Sequence, residues 1–238
     1  MKLEHKKRWM LFLLTMAVLL PCLASAKIFW RRETRGVDDK LCNLGGTLAY
    51  STDVTINGGK GTMSVFAFNS PLNDIVPLAS SAFSARFTRG RGIAMLTVEK
   101  EDYTAKLIAL ETSPMTQCVI FKIEQSRENH RTSREKPALP KSWSLPAFPG
   151  STLEFSARDD DRKSAIAVYT AKNTAEAAQS FFEKTLVSDG WACLHPSSAS
   201  SSLRMYSKRE NICCVSTTDL KGNMSSVLLL HKEDGAQP

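Results

Sequence analysis

Apolar and polar residues alternate along much of this chain, and in two places the alternation gives way to a helical period. The clearer place is Asn173 to Trp191, where Ala178, Phe181, Phe182, Thr185 and Leu186 fall on one helical face. Asn173 is placed to cap the first turn, with Glu176 three residues on as the second half of a capping box. Gly190 follows Asp189 where a left-handed residue ends a helix, and Trp191 comes next. The weaker helix signal starts at Ser70, read as a cap with Pro71 at the first helical position; Pro77 is expected to kink or shorten it.

The alternating stretches predict strands, and they come in two matching sets. GGTLAYS from Gly45 recurs as GSTLEFS from Gly150, so that Thr47, Leu48, Tyr50 and Ser51 correspond to Thr152, Leu153, Phe155 and Ser156. TMSVFAF (62–68) corresponds to AIAVYTA (165–171), and a helix signal follows each. MLTVEKEDYTAKLIAL from Met95 is matched by RMYSKRENICCVSTT from Arg204, and QCVIFKIE (117–124) by SVLLLHKE (226–233). Five elements agree in order and spacing, which reads as an internal repeat. Period-two alternation places Leu48 with Tyr50 on one face, Leu153 with Phe155, and Val227 with Leu229 and His231. The first hairpin of copy one is predicted to turn at Asn57 to Gly61, that of copy two between Arg158 and Lys163.

The pattern therefore predicts an α+β fold of two tandem similar modules, over residues 45–124 and 150–234. Each is an antiparallel sheet packed against one helix in the order strand-strand-helix-strand-strand-strand. Between them, residues 125–149 carry Pro137, Pro140, Pro146 and Pro149 among basic residues, the composition of an extended linker.

Residues 1–26 have the order of a secretory signal: Lys6, Lys7 and Arg8, then WMLFLLTMAVLL, then Ala24-Ser25-Ala26. Cleavage leaves a mature start at Lys27 and a basic, aromatic lead, residues 27–44, containing Phe29 and Trp30. Retention as an uncleaved anchor is the alternative, and in that form alone the lead would touch a membrane. Pro21 before Cys22 argues against a lipoprotein site. The export reading changes the charge picture. The whole chain of 238 residues carries +7, whereas without residues 1–26 it has 27 basic against 23 acidic residues, too mild a balance to point to nucleic acid.

Candidate chemistry is sparse. His130, His195 and His231 show no metal-ligand spacing and read as exposed or capping histidines. Asp159-Asp160-Asp161 is flanked by Arg158, Arg162 and Lys163, so it reads as a solvated hairpin tip rather than a calcium loop. No G-x-S-x-G elbow, phosphate loop, S-x-x-K or C-x-x-C motif occurs, and the expectation is no catalytic residue, no metal and no cofactor. Cys213 and Cys214 are adjacent on one strand, so one faces the core. Cys193 is a candidate disulfide partner of Cys213 or Cys214; the alternative is small buried residues with no bond.

The second copy resembles a module that recurs in bacterial cell-envelope proteins. The resemblance covers residues 145–191 and is carried by the Pro-aromatic-Pro-Gly start (Pro146, Phe148, Pro149, Gly150), the paired Phe181 and Phe182, and the closing Gly190-Trp191. It implies an envelope location and an architecture, and no activity. With the signal, this predicts an extracytoplasmic, periplasmic or secreted, non-enzymatic binding or accessory protein whose partner is a protein or envelope component. The alternatives are an envelope hydrolase with noncontiguous catalytic residues and a membrane-anchored assembly factor.

Overall fold

A computed structural model describes residues 35–90, 92–113, 117–132, 137, 139, 143–194 and 203–233; the signal segment and most of the lead lie outside these. The first half runs α1 (Arg35–Asn43), β1 (Thr47–Ile56), β2 (Gly59–Phe68), α2 (Leu72–Phe83), β3 (Thr88–Gly90), β4 (Ile93–Glu99), β5 (Tyr103–Ser113) and β6 (Gln117–Ser126). A short helix, α3 (Arg127–Thr132), follows. The second half runs β7 (Thr152–Asp159), β8 (Ser164–Ala171), α4 (Ala175–Ser188), β9 (Ala192–Cys193), β10 (Leu203–Lys208), β11 (Asn211–Leu220) and β12 (Met224–Lys232).

These strands make one sheet of twelve, in the order β3-β4-β5-β6-β2-β1-β7-β8-β12-β11-β10-β9, with antiparallel neighbours throughout. The expected α+β pair of separate sheet-and-helix modules is therefore corrected: the protein is mainly β, and its sheet is continuous. The reason lies at the centre. β1 and β7 lie side by side, with Thr55 opposite Arg158 and Ile56 opposite Ala157. Asn57, at the tip of the first hairpin with a left-handed φ of 46°, extends the join. Its backbone N–H donates to Ser156 O (3.0 Å), and its side-chain Oδ1 accepts from Ser156 N–H (2.8 Å).

Three cores result. On the outer face of the first half, α1 and α2 cover Phe66, Leu107, Ile120 and their neighbours. On the outer face of the second half, α4 covers Tyr169, Tyr206, Val215 and Leu229. The inner face is shared. Ile56, Met63, Ile108 and Ile123 of the first half pack with Phe155, Ile166, Val168 and Leu228 of the second. The sheet curls far enough for β3 to touch β11. Gly90 makes that approach possible, since a Cβ there would collide with Thr218.

Strand alternation is interrupted at the matching place in the first strand of each half, and again in β5 between Glu111 and Ser113. The register of β1 skips Ala49 and that of β7 skips Glu154. Leu48 thus faces out, 52 % exposed, while Tyr50 packs inside; Leu153 packs in the outer core and Phe155 in the inner one. The expected sharing of a face by Leu48 with Tyr50, and by Leu153 with Phe155, is overturned by these bulges. α2 is continuous through Pro77, because that residue sits on the exposed side while Ile75, Val76 and Ala79 face the sheet. Its N-cap is Pro71, with no side-chain hydrogen bond, rather than Ser70.

Candidate functional site

α4 and the segments at its two ends define the face with the most chemical variety. The helix is capped by Thr174, whose Oγ1 accepts from Ala177 N–H at 3.2 Å, and Asp219 of β11 accepts from Ala175 N–H at 2.7 Å. Asn173 is one residue too early to be the cap, so the expected capping box with Glu176 does not form. The stop is as expected. Gly190 takes φ +86°, Gly190 N–H donates to Val187 O and Trp191 N–H to Leu186 O, a Schellman motif that carries Trp191 onto the core. Ala178, Phe182 and Leu186 are the buried stripe. Phe181 is half-buried and stands edge-on to Phe148, with centroids 5.2 Å apart.

The stretch expected to be an extended linker lies partly within the fold. Gln125 and Ser126 belong to β6, and Leu145 and Phe148 are buried in the second outer core with Trp143 packed beside them. Trp143 and Trp191 flank His231 of β12: the centroids are 5.5 and 5.9 Å from the imidazole, with interplanar angles of 77° and 63°. His231 is 5 % exposed, its Nε2 has no hydrogen-bond partner, and burial lowers its pKa, with Glu233 acting in the opposite sense. The expectation of an exposed or capping histidine is corrected here. His130 lies on α3, and His195 is outside the described residues.

Beside His231 is a recess of about 50 Å³, rimmed by Arg158, Asp159, Asp160, Lys163, Ser164 and Glu233. It brings together Ser, His and Asp, the side chains of a hydrolytic triad, but not as a triad. Ser164 lies opposite Lys232 on β12, so it leaves the sheet on the face away from His231, which lies opposite Ala165. Asp159 is 3 % exposed and not solvated as its place in the acidic tip suggested. Its carboxylate accepts from Tyr50 Oη (2.9 Å), Thr52 Oγ1 (3.1 Å) and Arg162 N–H (3.1 Å). Arg162 lies 4.7 Å over the Tyr50 ring, and burial pushes the Tyr50 hydroxyl up to about 12. Asp159 thus joins the halves. Asp160 pairs with Arg158 at 3.1 Å.

The cysteines remain thiols among the described residues. Cys193 and Cys213 are separated by β10, Tyr206 lying between them, two strand spacings or roughly 9–10 Å. That exceeds disulfide reach, and Cys214 points to the other face. The expected pairing of Cys193 with Cys213 or Cys214 is therefore replaced by unbonded thiols. Burial raises the Cys213 pKa and pushes that of Cys214 up to about 12, which favours the protonated thiols. Among the described residues no three His, Cys, Asp or Glu gather as metal ligands, and no helix is long and apolar enough to cross a membrane.

Among the described residues no strand pairs with the far edge of this half. β9 ends the sheet, with β10 as its neighbour, and Leu194 N–H bonds to Met205 O at 2.8 Å. Val187, near the end of α4, and Leu194, just past β9, are 52 % and 41 % exposed. No sequence periodicity marks this pair, because the two residues belong to different elements.

No family model matches the sequence, and no curated protein matches it. Among solved structures, the crystal structure of the Tle4–Tli4 complex is similar at 8 % identity, over 81 % of this chain and 82 % of that one, with a TM-score of 0.23.

Proposed function

We propose that this protein acts by binding another protein rather than by catalysis, and that it does so outside the cytoplasm, in the bacterial envelope. The observation that carries the reading is the β9–β10 edge: backbone groups at the end of a sheet, flanked by the exposed apolar side chains of Val187 and Leu194. Such an edge accepts an extended segment of a partner by strand addition, with apolar side chains of that segment covering Val187 and Leu194. The envelope setting is supported by the signal-like order of residues 1–26 and by the resemblance of residues 145–191 to an envelope module. A photo-crosslinking residue at Leu194, in cells of the native host, is expected to give a discrete protein adduct that Val187→Asp weakens, while the same probe at the exposed Leu78 of α2 gives none. Equal labelling from both sites, or none from Leu194, removes the reading. The hydrolase alternative is tested separately with a fluorophosphonate probe, which should leave Ser164 unlabelled.

A further inference from the structure

We propose that residues 143–148 form a proton-released strap: protonation of His231 lifts Trp143 off the second half while the sheet and α4 stay folded. This inference goes beyond the binding reading and does not depend on the β9–β10 edge. A neutral imidazole has one N–H and one lone pair, whereas an imidazolium has two donors and a charge to accommodate. His231 has no room for that change. It lies between Ala165 and Cys213 on neighbouring strands, with an indole on either side, and Nε2 has no partner. The charged and titratable groups around it offer little help. Cys213 is a protonated thiol, Arg158 and Asp160 are paired with each other, and Asp159 is bound to Tyr50, Thr52 and Arg162. Lys163 adds positive charge at the rim. Glu233, just past the end of β12, is the carboxylate that favours the protonated form.

The two indoles differ in how they are held. Trp191 is fixed by the helix stop, through its backbone bond to Leu186 O, and is 6 % exposed. Trp143 is half-buried, packs by its side chain, and its Nε1 has no partner. The recess of about 50 Å³ is lined by Trp143 as well as His231, so it gives the indole a place to yield and water a way in once it has moved. Trp143 is the element that yields, and its departure would uncover Leu145, Phe148 and Phe181.

The test uses the full chain labelled with 5-fluorotryptophan and followed by fluorine NMR from about pH 7.5 to about pH 5, the span in which a histidine changes charge. Trp143→Phe assigns one resonance among the four tryptophans. That resonance is expected to move to a solvent-exposed position with a midpoint below about pH 6.5, the ordinary imidazole value. The Trp191 resonance, assigned by Trp191→Phe, should keep a buried position, and the far-UV circular dichroism should not change. His231→Gln should abolish the transition, and Glu233→Gln should move its midpoint to lower pH. The proposal is overturned by a Trp143 resonance that stays fixed, by one that moves together with Trp191 and loss of dichroism, or by a transition that survives in His231→Gln. Where His231→Gln does not fold, an unchanged midpoint in Glu233→Gln overturns it.

Discussion

From β1 to β6 and from β7 to β12 the two halves pass through the same order of elements, yet their outer cores treat one matching position in opposite ways. Lys122 on β6 and His231 on β12 fall at the same place when QCVIFKIE is laid over SVLLLHKE, and both are buried. In the first half that position holds a charge. Lys122 is 1 % exposed and pairs with Asp38 of α1 at 2.5 Å and with Glu124 at 3.2 Å. In the second half it holds an imidazole that burial keeps neutral, and the covering segment is the Trp143 strap rather than a helix. An ion pair holds its cover through charge and is costly to break, whereas a neutral ring between indoles relies on packing and on its protonation state. The first half is therefore clamped; the second can respond to its surroundings.

The largest expected effect is the loss of one charge from the clamp. Lys122→Met leaves Glu124, 8 % exposed, without its counter-ion and should cost roughly 3–5 kcal/mol in urea denaturation. His231→Leu at the matching place should cost less than about 1.5 kcal/mol, as volume-conserving core changes do. Equal losses would mean that the difference between the halves has no energetic weight.

Phe182→Ala is of comparable size, roughly 3–5 kcal/mol, because Phe182 is 1 % exposed at the centre of the second outer core. Its greater use is to ask whether the halves unfold together. The continuous sheet and the shared inner core imply a single transition, lowered alike by a lesion in either half. Two separated transitions in calorimetry would show that the seam at Thr55–Asn57 is too weak to couple them.

Gly90→Val tests the curl itself. A side chain there must displace β3 from Thr218, an overpacking cost of roughly 1–3 kcal/mol. Amide exchange should quicken in β3 and β4 of the first half and at Thr217 and Thr218 of the second. Quickening confined to the first half would mean that contact across the curl contributes nothing.

Much of this arrangement could be read from the chain, and the parts that could not have physical causes. Strand alternation and the Gly190-Trp191 stop depend on neighbouring residues, so they were visible. The single sheet was not, because its central join rests on two residue pairs and on Asn57, whose local chemistry announces only a turn. The bulges at Ala49 and Glu154 reverse the faces of Leu48 and Leu153 without any glycine to mark them. His231 is concealed for a related reason: its burial comes from Trp143, in a stretch whose prolines read as linker, and from Trp191, beyond a helix. Asp159 sits at the start of an acidic run that suggests solvent, and only the approach of Tyr50 and Thr52 from the other half withdraws it.

The smallest expected effect concerns a cap, where sequence and structure differ by one residue. Asn173 and Thr174 are both good N-cap residues, and Asn173 is the one that a Glu at the third helical position would favour. In the structure Thr174 has the extended backbone of a cap, with φ −75° and ψ 154°, and accepts from Ala177 N–H. Thr174→Ala should therefore cost about 1 kcal/mol, and Asn173→Ala should cost only a few tenths. Asp219 does not replace the lost hydroxyl, because it accepts from a different donor, Ala175 N–H. Removing Asp219 as well should then cost close to the two single changes added together, since the two acceptors share no donor. A combined loss well above that sum would show that the two caps hold the first turn of α4 as one unit. A larger loss at Asn173 than at Thr174 would place the start of α4 one residue earlier.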